Sequence, residues 1–193
     1  IEYQVCYYCN KLKEVKLPAH FTEIDERAFN YCRALERTIL SDGTVYEGEF
    51  HIPEGVTTVK GDCLLFDSDY IKTIHVPSTL TEIADGGLTS SMVERYTMTL
   101  PNPKYDIRNN SVVETATNTL IAGGTESTLI HESVTSIGHS AFKLSRIKTV
   151  DLHEGITSLS ERAFYYAYPS TIISRSLTPP TLGKECFWIA QYN

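Results

Sequence analysis

No stretch of this sequence approaches the ~20 consecutive apolar residues that a membrane-spanning helix needs, so the chain as it stands carries no membrane-spanning segment. Basic clustering is missing as well: no run of Lys and Arg exceeds two residues, and the formal net charge is −7. Nucleic-acid backbones are held by clustered cations that displace counterions, so nucleic acid is excluded as a partner. Residues 1–20 lack the basic start and apolar stretch of a signal peptide. Because the chain opens in mid-repeat at Ile1-Glu2-Tyr3, it reads as a fragment of a longer protein, with no signal or anchor of its own. The catalytic fingerprints are also wanting: there is no Ser-His-Asp order, P-loop or dinucleotide motif, and Gly86-Gly87 and Gly123-Gly124 lack phosphate-binding neighbours. Five cysteines are too few and too irregularly spaced for a disulfide scaffold.

What the chain does have is enough apolar residue (41%) for a continuous core, 21% charged residues and 12 tyrosines, a composition that excludes disorder. It also repeats itself. Leu12-Lys13-Glu14-Val15-Lys16-Leu17-Pro18, Ile71-Lys72-Thr73-Ile74-His75-Val76-Pro77 and Ile147-Lys148-Thr149-Val150-Asp151-Leu152-His153 share the pattern L-x-x-L-x-L. A few residues on comes an apolar-Thr-x-apolar step, at Phe21–Ile24, Val56–Val59, Leu80–Ile83, Val134–Ile137 and Ile156–Leu159. Each unit closes on a small residue followed by a large apolar one: Ala28-Phe29, Cys63-Leu64, Gly87-Leu88, Ala141-Phe142, Ala163-Phe164 and Cys186-Phe187. The period of 22–24 residues falls in the leucine-rich range and outside that of helical repeats.

In such a unit alternate strand positions point inward, so Val15 and Leu17 face the core while Glu14 and Lys16 face out. One coil cannot bury its apolar side alone; stacking at about 4.8 Å per step gives roughly seven coils and a rod of ~33 Å. The outward strand positions form two columns, one of Glu14, Thr73, Thr97 and Thr149 and one of Lys16, His51, His75, Thr99 and Asp151. These are the candidate binding residues. Two intervals exceed the period. Near 37–48, Asp42-Gly43 between apolar runs predicts a type I′ hairpin. Near 104–122, two alternating strands flank a turn at Ala116-Thr117-Asn118. Both are expected to protrude from the stack, where solenoid insertions often bind.

Several motifs invite sharper readings. Cys6-Tyr7-Tyr8-Cys9 is a C-x-x-C, but Cys6 and Cys9 stand 23 residues before Phe29 and Cys32, in ordinary repeat slots, and no second pair completes a metal site. Cys9 and Cys32 are expected as stacked free thiols on adjacent coils. His131-Glu132 and His153-Glu154 lack the second His of a zincin, Thr135 and Thr157 standing in its place. His51 and His75 fall one strand apart, close enough to chelate an ion, yet a solvated pair is the expectation, and no metal or cofactor is assigned. Asn109-Asn110-Ser111 fits a glycosylation sequon.

The combination resembles the BspA-like leucine-rich-repeat family of bacterial surface and secreted proteins, most closely at Ser133-Val134-Thr135-Ser136-Ile137-Gly138-His139-Ser140-Ala141-Phe142. The segment from Asn102 to Gly123 is similar to a hairpin insert of members from gut anaerobes, and Pro179-Pro180-Thr181-Leu182-Gly183 looks like the family's approach to its last repeats. The resemblance departs at Leu64 and Leu88, where the Phe slot holds Leu. It implies a leucine-rich-repeat solenoid, mainly β, with a parallel strand ladder, short helical or 3-10 turns and two β-hairpin insertions, forming one domain over 1–193. It further implies a non-catalytic, cell-surface or secreted module that binds host extracellular-matrix or surface proteins, or glycans. A structural spacer displaying another domain is the alternative, and a hydrolase the third reading.

Overall fold

The computed structural model describes residues 1–64, 66–126 and 129–188. Its strands are short. In the first half they are β1 (Glu14–Lys16), β2 (Glu23–Ile24), β3 (Arg37–Ile39), β4 (Val45–Glu47), β5 (Glu49–His51), β6 (Thr58–Val59), β7 (Thr73–His75), β8 (Glu82–Ile83) and β9 (Arg95–Thr97). The second half adds β10 (Tyr105–Arg108), β11 (Ser111–Glu114), β12 (Thr119–Ala122), β13 (Ser136–Ile137), β14 (Thr149–Leu152), β15 (Ser158–Leu159), β16 (Thr171–Ser174) and β17 (Thr181–Leu182). Each regular coil contributes one strand to each of two parallel ladders. The L-x-x-L-x-L segments supply β1-β3, β5-β7-β9 and β14-β16, and the apolar-Thr-x-apolar steps supply β2-β6-β8 and β13-β15, the latter extended by β12 on one side and β17 on the other.

The repeated threonine has a physical reason. Thr57, Thr81, Thr157 and Thr181 each donate both the backbone N–H and the side-chain hydroxyl to the carbonyl of the threonine one coil earlier, Thr22, Thr57, Thr135 and Thr157 respectively. A β-branched hydroxyl therefore welds the coils where the chain turns, while its apolar neighbours, such as Val56 and Val59, are fully buried.

The third side of each coil corrects one expectation: among the described residues no helical or 3-10 segment occurs. The closing pairs lie in consecutive turns whose N–H groups alternate in direction. Ala163, Tyr165 and Ala167 donate within their own coil, to Ser160, Arg162 and Phe164, whereas Phe164 and Tyr166 donate to Cys186 and Trp188 of the next coil. The same alternation recurs at Ala141, Lys143 and Ser145 against Phe142 and Leu144. A helix keeps every N–H in its own segment. Sending every second one across to a neighbour requires left-handed residues at regular intervals, and Arg27 and Tyr31, Ser140 and Leu144, and Arg162 and Tyr166 all have φ between 54° and 59°. Each such residue costs roughly 1–2 kcal/mol, and the inter-coil hydrogen bonds offset it.

The core falls into two clusters. Phe29, Phe50 and Phe66 stack in the first, with centroids 5.2 and 4.8 Å apart, and Phe142, Phe164 and Phe187 in the second, 5.0 and 4.9 Å apart and nearly parallel. The second insertion joins them and is no protrusion. It is a three-stranded antiparallel meander, β10-β11-β12, whose last strand is itself a rung of the parallel ladder. Val112 belongs to the first cluster and Val113 to the second, both fully buried. The turn at 115–118 lies where the sequence places it, but β10 is an additional strand, closed on β11 by Asn109 and Asn110 at φ 46° and 61°. Those signs at both central residues define a type I′ turn.

The first insertion is a hairpin, β3-β4, but not of the expected type. Leu40 N–H donates to Thr44 and Gly43 N–H to Leu40, and only Gly43 has a positive φ, so the loop is a three-residue turn with a glycine bulge. Because β4 occupies the edge of β3, the next coil strand, β5, reaches β3 through a side chain instead of a ladder. The fully buried Thr38 hydroxyl donates to Glu49 C=O at 3.1 Å and accepts from His51 N–H at 3.0 Å. Thr38→Val keeps the shape and leaves both backbone groups unsatisfied, so it is expected to lower the unfolding free energy by about 1–3 kcal/mol in a urea titration.

Candidate binding surface

The strand face is less continuous than the column pattern predicts. Its three sheets are separated by the hairpin and by the meander. Glu14 and Lys16 are exposed on β1, and Glu14 reaches Arg37 at 3.2 Å. On the second sheet Thr73 pairs with Glu49 and Arg95, and His75 with His51 and Thr97. Arg95 and Thr97 therefore take the column places expected for Thr97 and Thr99, and Thr99 lies beyond the end of β9. A two-residue slip keeps each side chain on its face, which is why alternation alone does not detect it. His51 and His75 are not a solvated pair: His75 is 6% exposed and the two rings stack.

On the third sheet Thr149 and Asp151 pair with Thr171 and Ile173. Asp151 is not free to bind, because Arg175 clamps it through both nitrogen arms at 2.7 and 2.6 Å. That hydrogen bond holds the Asp151 carboxyl below its ordinary pKa. A depressed carboxylate contributes stability that is present above the unfolded value, near 3.9, and is lost as pH falls through the folded value. Arg175→Ala is expected to move the Asp151 carboxyl resonance, followed by NMR titration, back up toward the ordinary range.

The opposite, turn side of the coils carries a trough. The position two residues after the Phe slot holds Tyr8, Tyr31, Leu144 and Tyr166, all at left-handed φ. Between the coils of Tyr31 and Leu144 the sequence instead supplies Gly86, Gly87, Thr89, Ser90 and Ser91, all buried. Two adjoining hollows lie on this side, with Ser91 of that run lining the first of them. One, of about 370 Å³, is lined by Tyr31, Leu144, Tyr166, Tyr168, Asp67 and Arg146 among others. The second, of about 580 Å³, shares Tyr31, Leu144 and Tyr166 and adds Tyr7, Arg27 and Tyr165.

Both walls are held rigidly. Tyr8 packs on Tyr31 at 4.6 Å and edge-on to Tyr7 at 4.7 Å, while Tyr165 and Tyr166 meet edge-on at 4.5 Å. Arg33 and Arg162 lie over Tyr31 and Tyr165 at 5.9 and 5.1 Å. Across the floor, Lys143 Nζ bonds both oxygens of Asp62, at 2.8 and 2.6 Å, joining coils 81 residues apart in sequence. Gly86 sits beneath that carboxylate, where a Cβ would come within 2.7 Å of Asp62 Oδ1. Partial burial and neighbouring tyrosines raise the Tyr31 phenol, and burial and Tyr166 raise that of Tyr165, so both stay protonated donors at neutral pH. The arrangement can stack on a flat apolar ring and hydrogen-bond its edges.

All five cysteines are free, and burial pushes Cys32 up to about 12, its Sγ donating to Cys6 C=O at 3.0 Å.

Parallel ladders on two sides and a turn side with alternating N–H direction define a β-solenoid of leucine-rich repeats with about seven coils. The model of the BspA type leucine rich repeat region matches residues 43–121 and 122–192 in six copies, and the chain belongs to that family. Among solved structures, the pneumococcal vaccine antigen PcpA aligns with a TM-score of 0.64 and 14% identity over 90% of this chain and 40% of its own. A leucine-rich repeat protein from Eubacterium ventriosum gives 0.55 and 17% over 86% and 59%. The chain thus spans less than two thirds of the length of either. No curated protein sequence matches. Among the described residues no helix is long and apolar enough to cross a membrane.

Proposed function

We propose that this chain is the repeat module of a longer bacterial surface or secreted protein and that it binds a glycan in the tyrosine-lined trough, serving adhesion to host or other cells. The observation that carries the reading is the pair of tyrosine walls, Tyr7 and Tyr31, the latter backed by Tyr8, on one side and Tyr165, Tyr166 and Tyr168 on the other, with Asp62, Ser91, Lys143 and Ser145 among the residues lining the space between. Tyrosine offers a rigid apolar face with a polar edge at little entropic cost, and the charged groups between the walls are of both signs. A protein partner needs well over 1,000 Å² of matched surface, whereas hollows of 370 and 580 Å³ suit a ligand of a few rings. The family likeness and the fold of PcpA support a surface role.

A glycan array probed with the purified chain tests this. Saturable binding is expected, weakened about tenfold or more by Tyr31→Ala or Tyr166→Ala and unchanged by charge reversal at Glu14 and Lys16. Binding to matrix proteins that ignores the tyrosine variants and responds to Glu14 or Lys16 would move the site to the strand columns. Silence on both glycan and matrix-protein arrays would leave the spacer role.

A further inference from the structure

The strand face carries a second constellation, remote from the trough. Glu49 and His51 stand at i and i+2 of β5, hence on one face, and the register of β5 with β7 sets His75 directly opposite His51. One ligand atom from each of the three lies within 4.8 Å of the others. Glu49 Oε1 is 2.6 Å from His51 Nδ1, and the two imidazoles stack with centroids 4.1 Å apart and planes 2° apart. Tyr46, brought in by the hairpin, covers the His51 ring at 3.7 Å. The set is largely withdrawn from water: the side chains of Glu49 and His51 are 21% and 14% exposed, and His75 is buried.

We infer that Glu49, His51 and His75 form a binding site for a divalent first-row transition ion of the zinc class. Two ligands at i and i+2 of one strand with a third on the neighbouring strand place three donors at the corners of a triangle on a rigid backbone. Two imidazoles and a carboxylate form a donor set known for zinc, with a fourth position left for water or substrate. The same set discriminates against calcium and magnesium, which demand an all-oxygen shell. Thr97 Oγ1, 3.2 Å from His75 Nδ1, supplies the outer hydrogen bond that fixes a ligating imidazole. Bonds of about 2.0–2.1 Å to nitrogen require the three donors to draw together and one imidazole to turn out of the stack, a side-chain rotation that leaves the ladder intact.

The test uses the whole chain without a histidine tag. Titration with Co(II), followed by visible absorption, and with Zn(II), followed by calorimetry, should show one equivalent bound and a raised melting temperature. His51→Ala, His75→Ala and Glu49→Gln should each weaken uptake at least tenfold, while His20→Ala, at an exposed site on another coil, should not. Because each substitution also alters the stack, imidazole NMR of the unaltered chain gives an independent reading: Zn(II) should shift His51 and His75 and spare the other four histidines. No saturable uptake, uptake indifferent to all three substitutions, or shifts at other histidines instead would overturn the assignment. The glycan-binding reading stands or falls separately, since Tyr31 and Tyr166 take no part.

Discussion

Phe164→Ala is expected to lower the free energy of unfolding by about 3–5 kcal/mol, the range found when a large aromatic is removed from a packed core. Phe164 has no exposed surface and lies between Phe142 at 5.0 Å and Phe187 at 4.9 Å, with interplanar angles of 3° and 7°. Its loss leaves a cavity between two rings that cannot close over it, because each is fixed by its own coil's backbone. Phe142 N–H is tied to Ala163 C=O and Phe164 N–H to Cys186 C=O, so the coil spacing is set by hydrogen bonds and not by the rings. In a solenoid each coil packs only on its neighbours, so the damage should spread unevenly. Hydrogen exchange of the unmutated chain and of Phe164→Ala would show protection falling most around residues 136–188 and least around 14–83. Uniform loss over both core clusters would instead mean that the meander couples them into one cooperative unit.

The boundary between those clusters illustrates what the sequence discloses and what it hides. The threonine step and the small-large closing pair are legible because each is a side-chain requirement repeated in every coil: a hydroxyl that reaches back one step, a methyl or hydrogen that admits a neighbouring backbone, a ring that fills the centre. Backbone direction is hidden. Tyr31, Leu144, Arg162 and Tyr166 are left-handed without being glycine or asparagine, and nothing in their side chains announces it; the neighbouring coil imposes it by accepting the N–H two residues earlier. The register at Thr97 is hidden for a different reason. Units vary between 22 and 24 residues, so counting from a proline landmark places the strand two residues late, and the alternation of faces survives the error.

The trough was legible in part. Tyr8, Tyr31 and Tyr166 recur at one place in the repeat, two residues past the Phe slot, where Phe66, Ser90, Thr125 and Leu144 stand in the coils between. The metal-ligating triangle was half legible: the pairing of His51 with His75 follows from the repeat, whereas the participation of Glu49 depends on β5 beginning immediately after the hairpin.

Gly123→Ala should be as damaging as losing a core ring, for the opposite reason. Gly123 stands in the Phe slot of the coil that ends the meander, its N–H donating to Ala141 C=O as Phe142 does to Ala163. The ring of Phe142 fills the vacant space: a Cβ on Gly123 would lie 1.9, 2.1 and 2.5 Å from its Cε1, Cζ and Cδ1. One methyl thus demands that a buried ring move, and the ring is backed by Phe164. Overpacking of this kind costs about 1–3 kcal/mol and sometimes more, and the depth of the overlap puts Gly123→Ala at or above the top of that range. Its φ does not lie in the left-handed region, so the clash is steric and not conformational, in contrast to Gly43, whose φ of +88° is strained for alanine although no atom lies within 4 Å. The distinction is measurable in urea titrations of a double-mutant cycle. Phe142→Leu, itself destabilising, should recover part of the stability lost in Gly123→Ala when the two are combined, because the shorter side chain vacates the overlap. The same partner change should do nothing for Gly43→Ala. Strict additivity at Gly123 would show that the glycine is held by its backbone and that the ring takes its place by accident of packing.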